Sequence, residues 1–194
     1  MGLSKSTLPK SNGNGNNPNY QFFDLGSGGG KLVLQSHLEL PSIHRSVGIE
    51  LSPTRHSVAM RRYQDLISNG DIDRIQQLAF KTWGWDYITP VIELNEGDLF
   101  ELDINQATHM YLSSLCFSED MLERVVHKIE TEGSSLQIVA SLRLLPLSQS
   151  GNDAGREKTI AKLGDNTWQE FIEMSWNRGG DGCPVYFYAV KQLS

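Results

Sequence analysis

The chain has 194 residues, 39% hydrophobic and 21% charged, enough for one α/β domain with a real core. A formal net charge of −6, with no Lys/Arg cluster beyond Arg61-Arg62, argues against a polyanion-binding surface. The two cysteines, Cys116 and Cys183, are too few for a disulfide framework and suit a reducing compartment, and no apolar run approaches the length of a membrane span.

Residues 1–19 (with SNGNGNNPN) are rich in Ser, Asn and Gly and read as a disordered, solvated tail without a signal peptide. Met1-Gly2-Leu3-Ser4-Lys5-Ser6 matches the N-myristoylation pattern, which is short enough to arise by chance.

The next stretch, YQFFDLGSGGGKLVLQ from Tyr20 to Gln35, organises the rest. It reads as a short buried strand holding Phe22 and Phe23, an acid at Asp24, a glycine turn, and a helix over 31–40. Asp24, Gly26, Gly28 and Gly30 form a D-x-G-x-G-x-G pattern. Glycine suits a sharp reversal at a strand end where backbone must approach a ligand, because it has no Cβ and accepts positive φ. The phosphate-loop pattern fails, since Gly30-Lys31 is followed by Leu32 rather than a hydroxyl. The G-x-G-x-x-G pattern fits poorly as well. A carboxylate at Asp24 would repel a pyrophosphate but would suit a cationic or amine-bearing ligand, and S-adenosylmethionine carries both an ammonium and a sulfonium.

Ser46–Glu50 (SVGIE) reads as the second strand. Glu50 lies twenty residues after Gly30, placed to accept from ribose hydroxyls. Ser52-Pro53 signals a helix start, and the helix over 53–68 ends at Asn69-Gly70. A further helix is expected over 72–80. The aromatic run Trp83-Gly84-Trp85-Asp86-Tyr87 lacks interleaved basic residues and reads as packing.

A third strand over 88–94 leads into Glu96-Gly97-Asp98-Leu99-Phe100, where an acid and then an apolar residue suit an adenine amine and ring face; a plain turn is the other reading. Strand four is expected over 109–114, a helix over 119–131, a buried strand over 136–142, and an irregular loop over 146–164. Segments 167–176 and 184–190 read as an antiparallel hairpin. The order βαβαβ, βαβ, hairpin fits a parallel sheet ending in an antiparallel strand. The five histidines show no ligand spacing, so no metal site is expected, and Cys116 reads as a buried structural thiol.

DLGSGGGKLVLQ, VGIEL, GDLF, MYLSSLCF and MSW…CPVYFY together resemble the class I S-adenosylmethionine-dependent methyltransferases. More narrowly they are similar to the disruptor-of-telomeric-silencing family, histone-lysine methyltransferases that lack a SET domain. The resemblance covers residues 20–194 in order, as one domain after the 1–19 tail. It implies an α/β, Rossmann-like, seven-stranded, mostly parallel sheet with an antiparallel C-terminal hairpin and helices on both faces. It implies that Asp24, Gly26, Ser27 and Gly28 surround the methionine part of S-adenosylmethionine, with Gly30 closing the same run. Glu50 would bind the ribose, Asp98 the adenine amine, and Leu99 would lie against the ring. Ser113, Phe117, Trp176 and Phe187 would border the channel that admits the lysine.

The sequence departs from that pattern in three places. The family's paired asparagines are Ser113-Ser114 here, a channel tyrosine is Phe187, and the helical N-terminal part has no counterpart among residues 1–19. Methyl transfer to an amine needs alignment and desolvation more than acid–base chemistry, in keeping with the lack of a recognisable triad. The resemblance implies a protein substrate, with a nucleosomal histone the specific expectation, and an intracellular monomer: nuclear if histone is the acceptor, cytoplasmic otherwise. No direct nucleic-acid or membrane contact is expected. A methyltransferase for another protein or a small molecule, and a non-catalytic module of the same fold, remain the alternatives.

Overall fold

The computed structural model describes residues 20–40, 42–83, 91–146, 163, 167–174 and 182–190. In chain order these form β1 (Tyr20–Leu25), α1 (Lys31–Glu39), β2 (Ile43–Glu50), α2 (Pro53–Ser68), α3 (Asp71–Trp83) and β3 (Val91–Glu96). Then come β4 (His109–Leu112), α4 (Glu119–Glu132), β5 (Ile138–Ser141), β6 (Thr167–Ile172) and β7 (Cys183–Ala189). Local chemistry sets several of these boundaries. Ser52 and Ser118 cap α2 and α4 by accepting from the N–H groups of Arg55 and Met121. Pro53 opens α2, and Gly70 takes a left-handed φ of 68° just after that helix ends.

The seven strands form one sheet in the order β3-β2-β1-β4-β5-β7-β6. β1 to β5 are parallel, while β7 runs antiparallel to both β5 and β6. The chain leaves β1 towards β2 on one side and returns on its other side as β4. The carboxyl ends of β1 and β4 therefore bound the crevice at which the strand order reverses.

Register divides the core between the two faces. Phe23, Val47, Met110, Val139 and Tyr188 lie in register on one face. They pack with Leu122, Val125, Val126 and Ile129 of α4. On the other face Ile92 and Leu94 of β3 meet Val33 and Leu34 of α1, Tyr63 and Leu66 of α2, and Ile72 of α3. Helices thus cover both faces, and the seven-stranded architecture is as expected.

Two expectations are corrected. β4 ends at Leu112, two residues early, and a 3₁₀ turn over Ser114–Cys116 follows. The cause is Ser114, which is drawn fully inside. Its hydroxyl bonds Ser141 Oγ at 2.8 Å and accepts the Arg143 N–H at 2.9 Å, tying the end of β4 to that of β5. That turn carries Cys116 outward, so it is exposed rather than a buried thiol; Cys183 is the buried one. The tail 1–19, the 84–87 aromatic run, most of the 146–164 loop and Trp176 lie outside the described residues.

Candidate functional site

The glycine turn is built as its spacing suggested. Gly26, Gly28 and Gly30 take φ of 86°, 55° and 72°, a region that side-chain-bearing residues rarely enter. The turn is stitched to the end of β2: Gly26 N–H and Ser27 N–H both donate to the Ile49 carbonyl, at 3.0 and 2.9 Å. Gly28 N–H donates to Glu50 Oε2 at 2.9 Å. Arg62 of α2 reaches back to the Gly29 carbonyl at 2.8 Å. Gly48 makes the close approach possible, since a Cβ there would fall 2.7 Å from Val33 Cγ2 and 2.9 Å from the Ser27 side chain.

Beneath the turn, Asp24 is buried and its Oδ1 has no hydrogen-bond partner. Burial pushes its carboxyl up from 3.8 to about 7, and the charge of Glu50 adds to the shift. Burial also pushes the cross-strand neighbour Tyr111 up to about 12, with Asp24 contributing. Glu50 behaves in the opposite way. Burial raises its carboxyl, but hydrogen bonds from Arg55, Ser52 N–H and Gly28 N–H outweigh this and hold it below the usual range. Two neighbouring acids in one site are therefore pushed apart, one towards the neutral form and one held charged.

The β3 end completes the group. Gly97 N–H donates to the Glu50 carbonyl at 3.1 Å, and Asp98 Oδ1 accepts the Phe100 N–H at 3.0 Å. Leu99 is packed into the main core, while Phe100 is half-buried with the Arg124 guanidinium 3.7 Å over its ring. Ser113 and Phe117 border the turn: a Cβ on Gly26 would lie 3.9 Å from Ser113 Cβ and 3.8 Å from Phe117 Cζ. Phe187 stands farther off. It shares a cross-strand row with Asp24 through Tyr111 and Ala140, three strands along.

The three acids sit at the carboxyl ends of the strands, Asp24 and Glu50 in the last residues of β1 and β2 and Asp98 in the turn after β3, and the glycine turn lies over the first two. A family model described as the histone methylation protein DOT1 matches residues 14–180. The chain belongs to the DOT1 family. No curated protein matches this DOT1-family chain. Its fold is that of solved methyltransferases. One is a candidate tRNA (m1A22) methyltransferase of Streptococcus pneumoniae, with 9% identity and a TM-score of 0.51 over 91% of this chain and 66% of that one. Another is the methyltransferase domain of bacterial CtHen1-C, with 15% identity and a TM-score of 0.51 over 87% and 88% of the two chains. The DOT1-family chain spans less than two thirds of the first structures it matches: besides the 66% above, 42% of geranyl diphosphate methyltransferase and 20% of PKMT2 from Rickettsia typhi.

Sequence reasoning passed over four residues that the fold brings to the site. Arg55 and Arg62 project from α2 onto Glu50 and the glycine turn. Tyr111 neighbours Asp24, and Trp168 stacks on Phe187 with ring centroids 5.2 Å apart and planes at 11°. Only Arg55 had a signal available, its place in the first helical turn after the strand-end acid.

Proposed function

We propose that the chain binds S-adenosylmethionine and catalyses transfer of its methyl group to a protein lysine of the histone type. The observation that carries the cofactor is the buried Asp24 carboxyl, with an unpaired oxygen at the foot of a positive-φ glycine turn. A buried carboxyl pushed towards neutrality, with one oxygen unpaired, is suited to a cation as its partner. The N-terminus of α1 has no side-chain cap, which leaves its first-turn N–H groups as donors for acceptor atoms of a ligand. The three carboxyl groups, as acceptors, fit a molecule that is cationic at one end and carries a diol and an exocyclic amine at the other.

When bound, S-adenosylmethionine supplies a methyl group on a sulfonium, open to in-line attack by a neutral amine. Asp24 pairs with the positive end. Glu50 accepts from the ribose through Oε2, which holds a single internal bond. Asp98 accepts from the adenine amine. Ser113 and Phe117, beside Gly26, and Phe187 border the approach of the amine. Their part is to align the lysine and exclude water, which accounts for much of the rate in such a displacement. Family membership supports the lysine acceptor, and a histone acceptor places the protein in the nucleus.

Calorimetry with S-adenosylmethionine tests the cofactor: wild type binds, and Asp24→Ala and Glu50→Ala do not. No heat from wild type at millimolar ligand sinks this reading. Labelled-methyl incorporation tests the acceptor. Label in the histone core of nucleosomes supports the lysine reading, and label in other proteins of a cell extract alone defeats it.

A further inference from the structure

One oxygen of Glu50 is already full. Oε1 accepts from Ser52 N–H at 2.8 Å and from Arg55 Nε and Nη2 at 3.0 and 2.7 Å. Oε2 accepts only the Gly28 N–H, at 2.9 Å. A carboxylate offers about two lone-pair sites on each oxygen. Oε1 therefore has no room for another donor, and Oε2 has room for one. A ribose presents two adjacent hydroxyls.

Building on the cofactor reading above, we infer that Arg55 is a latch on the ribose-binding carboxylate: it withholds Oε1 from a diol and releases it only when both hydroxyls are present to take its place. The geometry suits a latch. Arg55 sits in the first turn of α2 with its side chain 65% exposed, whereas that of Glu50 is 4% exposed. The guanidinium can swing into water without opening the core. Glu50 stays anchored through Ser52 and Gly28, while one hydroxyl takes the place that Arg55 leaves on Oε1 and the other takes the open place on Oε2. A ligand with only one hydroxyl cannot make that exchange, so it binds through Oε2 with the latch shut. Releasing Arg55 thus costs the diol ligand alone, so Arg55 sets how far the site favours an intact diol over a single hydroxyl and narrows that preference.

The test is a cycle between protein and ligand. Wild type and Arg55→Ala are titrated calorimetrically at pH 8. The probes are S-adenosylhomocysteine and its 2′-deoxy and 3′-deoxy analogues. The latch predicts that Arg55→Ala tightens binding of the diol ligand by roughly fivefold to tenfold while leaving the deoxy analogues within about twofold. If Arg55→Ala weakens all three ligands alike, Arg55 only positions Glu50 and the latch is wrong. If all three are unchanged, the ribose never uses Oε1 and the latch is equally wrong. Should neither protein bind any probe, the cofactor reading falls first and the latch with it. Thermal melting of the variant confirms that the exposed substitution leaves the fold intact.

Discussion

Gly28 and Glu50, 22 residues apart in the chain, are joined by one hydrogen bond of 2.9 Å from backbone N–H to carboxylate. That bond shapes the glycine turn, because it ties the middle of the turn to the end of the neighbouring strand. It makes Glu50 a structural acceptor, besides the ligand-binding role proposed for it. Glu50→Gln places an amide among N–H donors and leaves one of them unpaired in a buried site. The expected loss is about 1–3 kcal/mol of unfolding free energy, measured in urea, together with loss of S-adenosylmethionine binding. A stable variant that still binds would contradict the double role.

Asp24 makes stability and ligand affinity depend on pH in opposite senses. Its folded pKa, about 7, lies above the ordinary value of 3.8 for an exposed aspartate. Between those values the folded state holds a proton that the unfolded state has lost, so stability falls as pH rises from about 4 to about 7. The accumulated penalty above pH 7 is on the order of 4 kcal/mol. Asp24→Asn removes it: the variant should be more stable than wild type at pH 8, with little difference at pH 4, by urea titration. The same variant should lose cofactor binding, since an amide carries no charge.

Cofactor binding should in turn release a proton. A cationic ligand favours ionised Asp24, so affinity should weaken about tenfold per pH unit as pH falls below 7. Calorimetry at pH 6 in buffers of different ionisation enthalpy should register close to one proton released per ligand bound. Buffer-independent heats would show that Asp24 does not titrate on binding.

Gly48 and Gly28 should respond differently to alanine. Gly48→Ala drives a methyl to within 2.7 Å of Val33 and 2.9 Å of Ser27, so the turn or α1 must shift, at a cost of about 1–3 kcal/mol. Gly28 has open space around its missing Cβ but a φ of 55°. Its alanine variant should lose only about 1–2 kcal/mol, from backbone strain. Paired thermal melts check the order. Val33→Ala truncates a buried side chain and destabilises by itself, so a double-mutant cycle should show relief with Gly48→Ala and no coupling with Gly28→Ala.

Trp168 lies on the edge strand β6, 41% exposed and stacked on Phe187. Stacked aromatic pairs contribute about 0.5–1.5 kcal/mol beyond their buried area. A double-mutant cycle with Trp168→Ala and Phe187→Ala should return a coupling of that size, and neither variant should alter cofactor affinity. On the proposal that Phe187 borders the acceptor's approach, methyl incorporation should fall in both variants. Unchanged incorporation would remove the pair from the acceptor side.

Much of the fold was legible because it rests on local spacing. The Ser52-Pro53 start of α2, the alternation in the terminal strands and the glycine run each follow from chemistry within a few residues. The end of β4 was not, because Ser114 turns inward to meet Ser141, 27 residues on, and no local pattern announces that partner. The exposed Cys116 follows from the same contact.

The sequence by itself determined that a positive-φ glycine turn follows an acid at Asp24, and that further acids recur at Glu50 and Asp98. These are properties of short segments, set by Cβ sterics and strand length. Only the tertiary structure decided what those acids are. Asp24 is pushed towards neutrality because the sheet buries it beside Glu50. Glu50 stays charged because α2 brings Arg55 onto it and the turn lends it an N–H. Gly48 matters only because Ser27 and Val33 come down upon it. The row from Asp24 through Tyr111, Ala140 and Phe187 to Trp168 exists only through the pairing of distant strands, since register across the sheet is set by which strands meet and not by their neighbours in the chain.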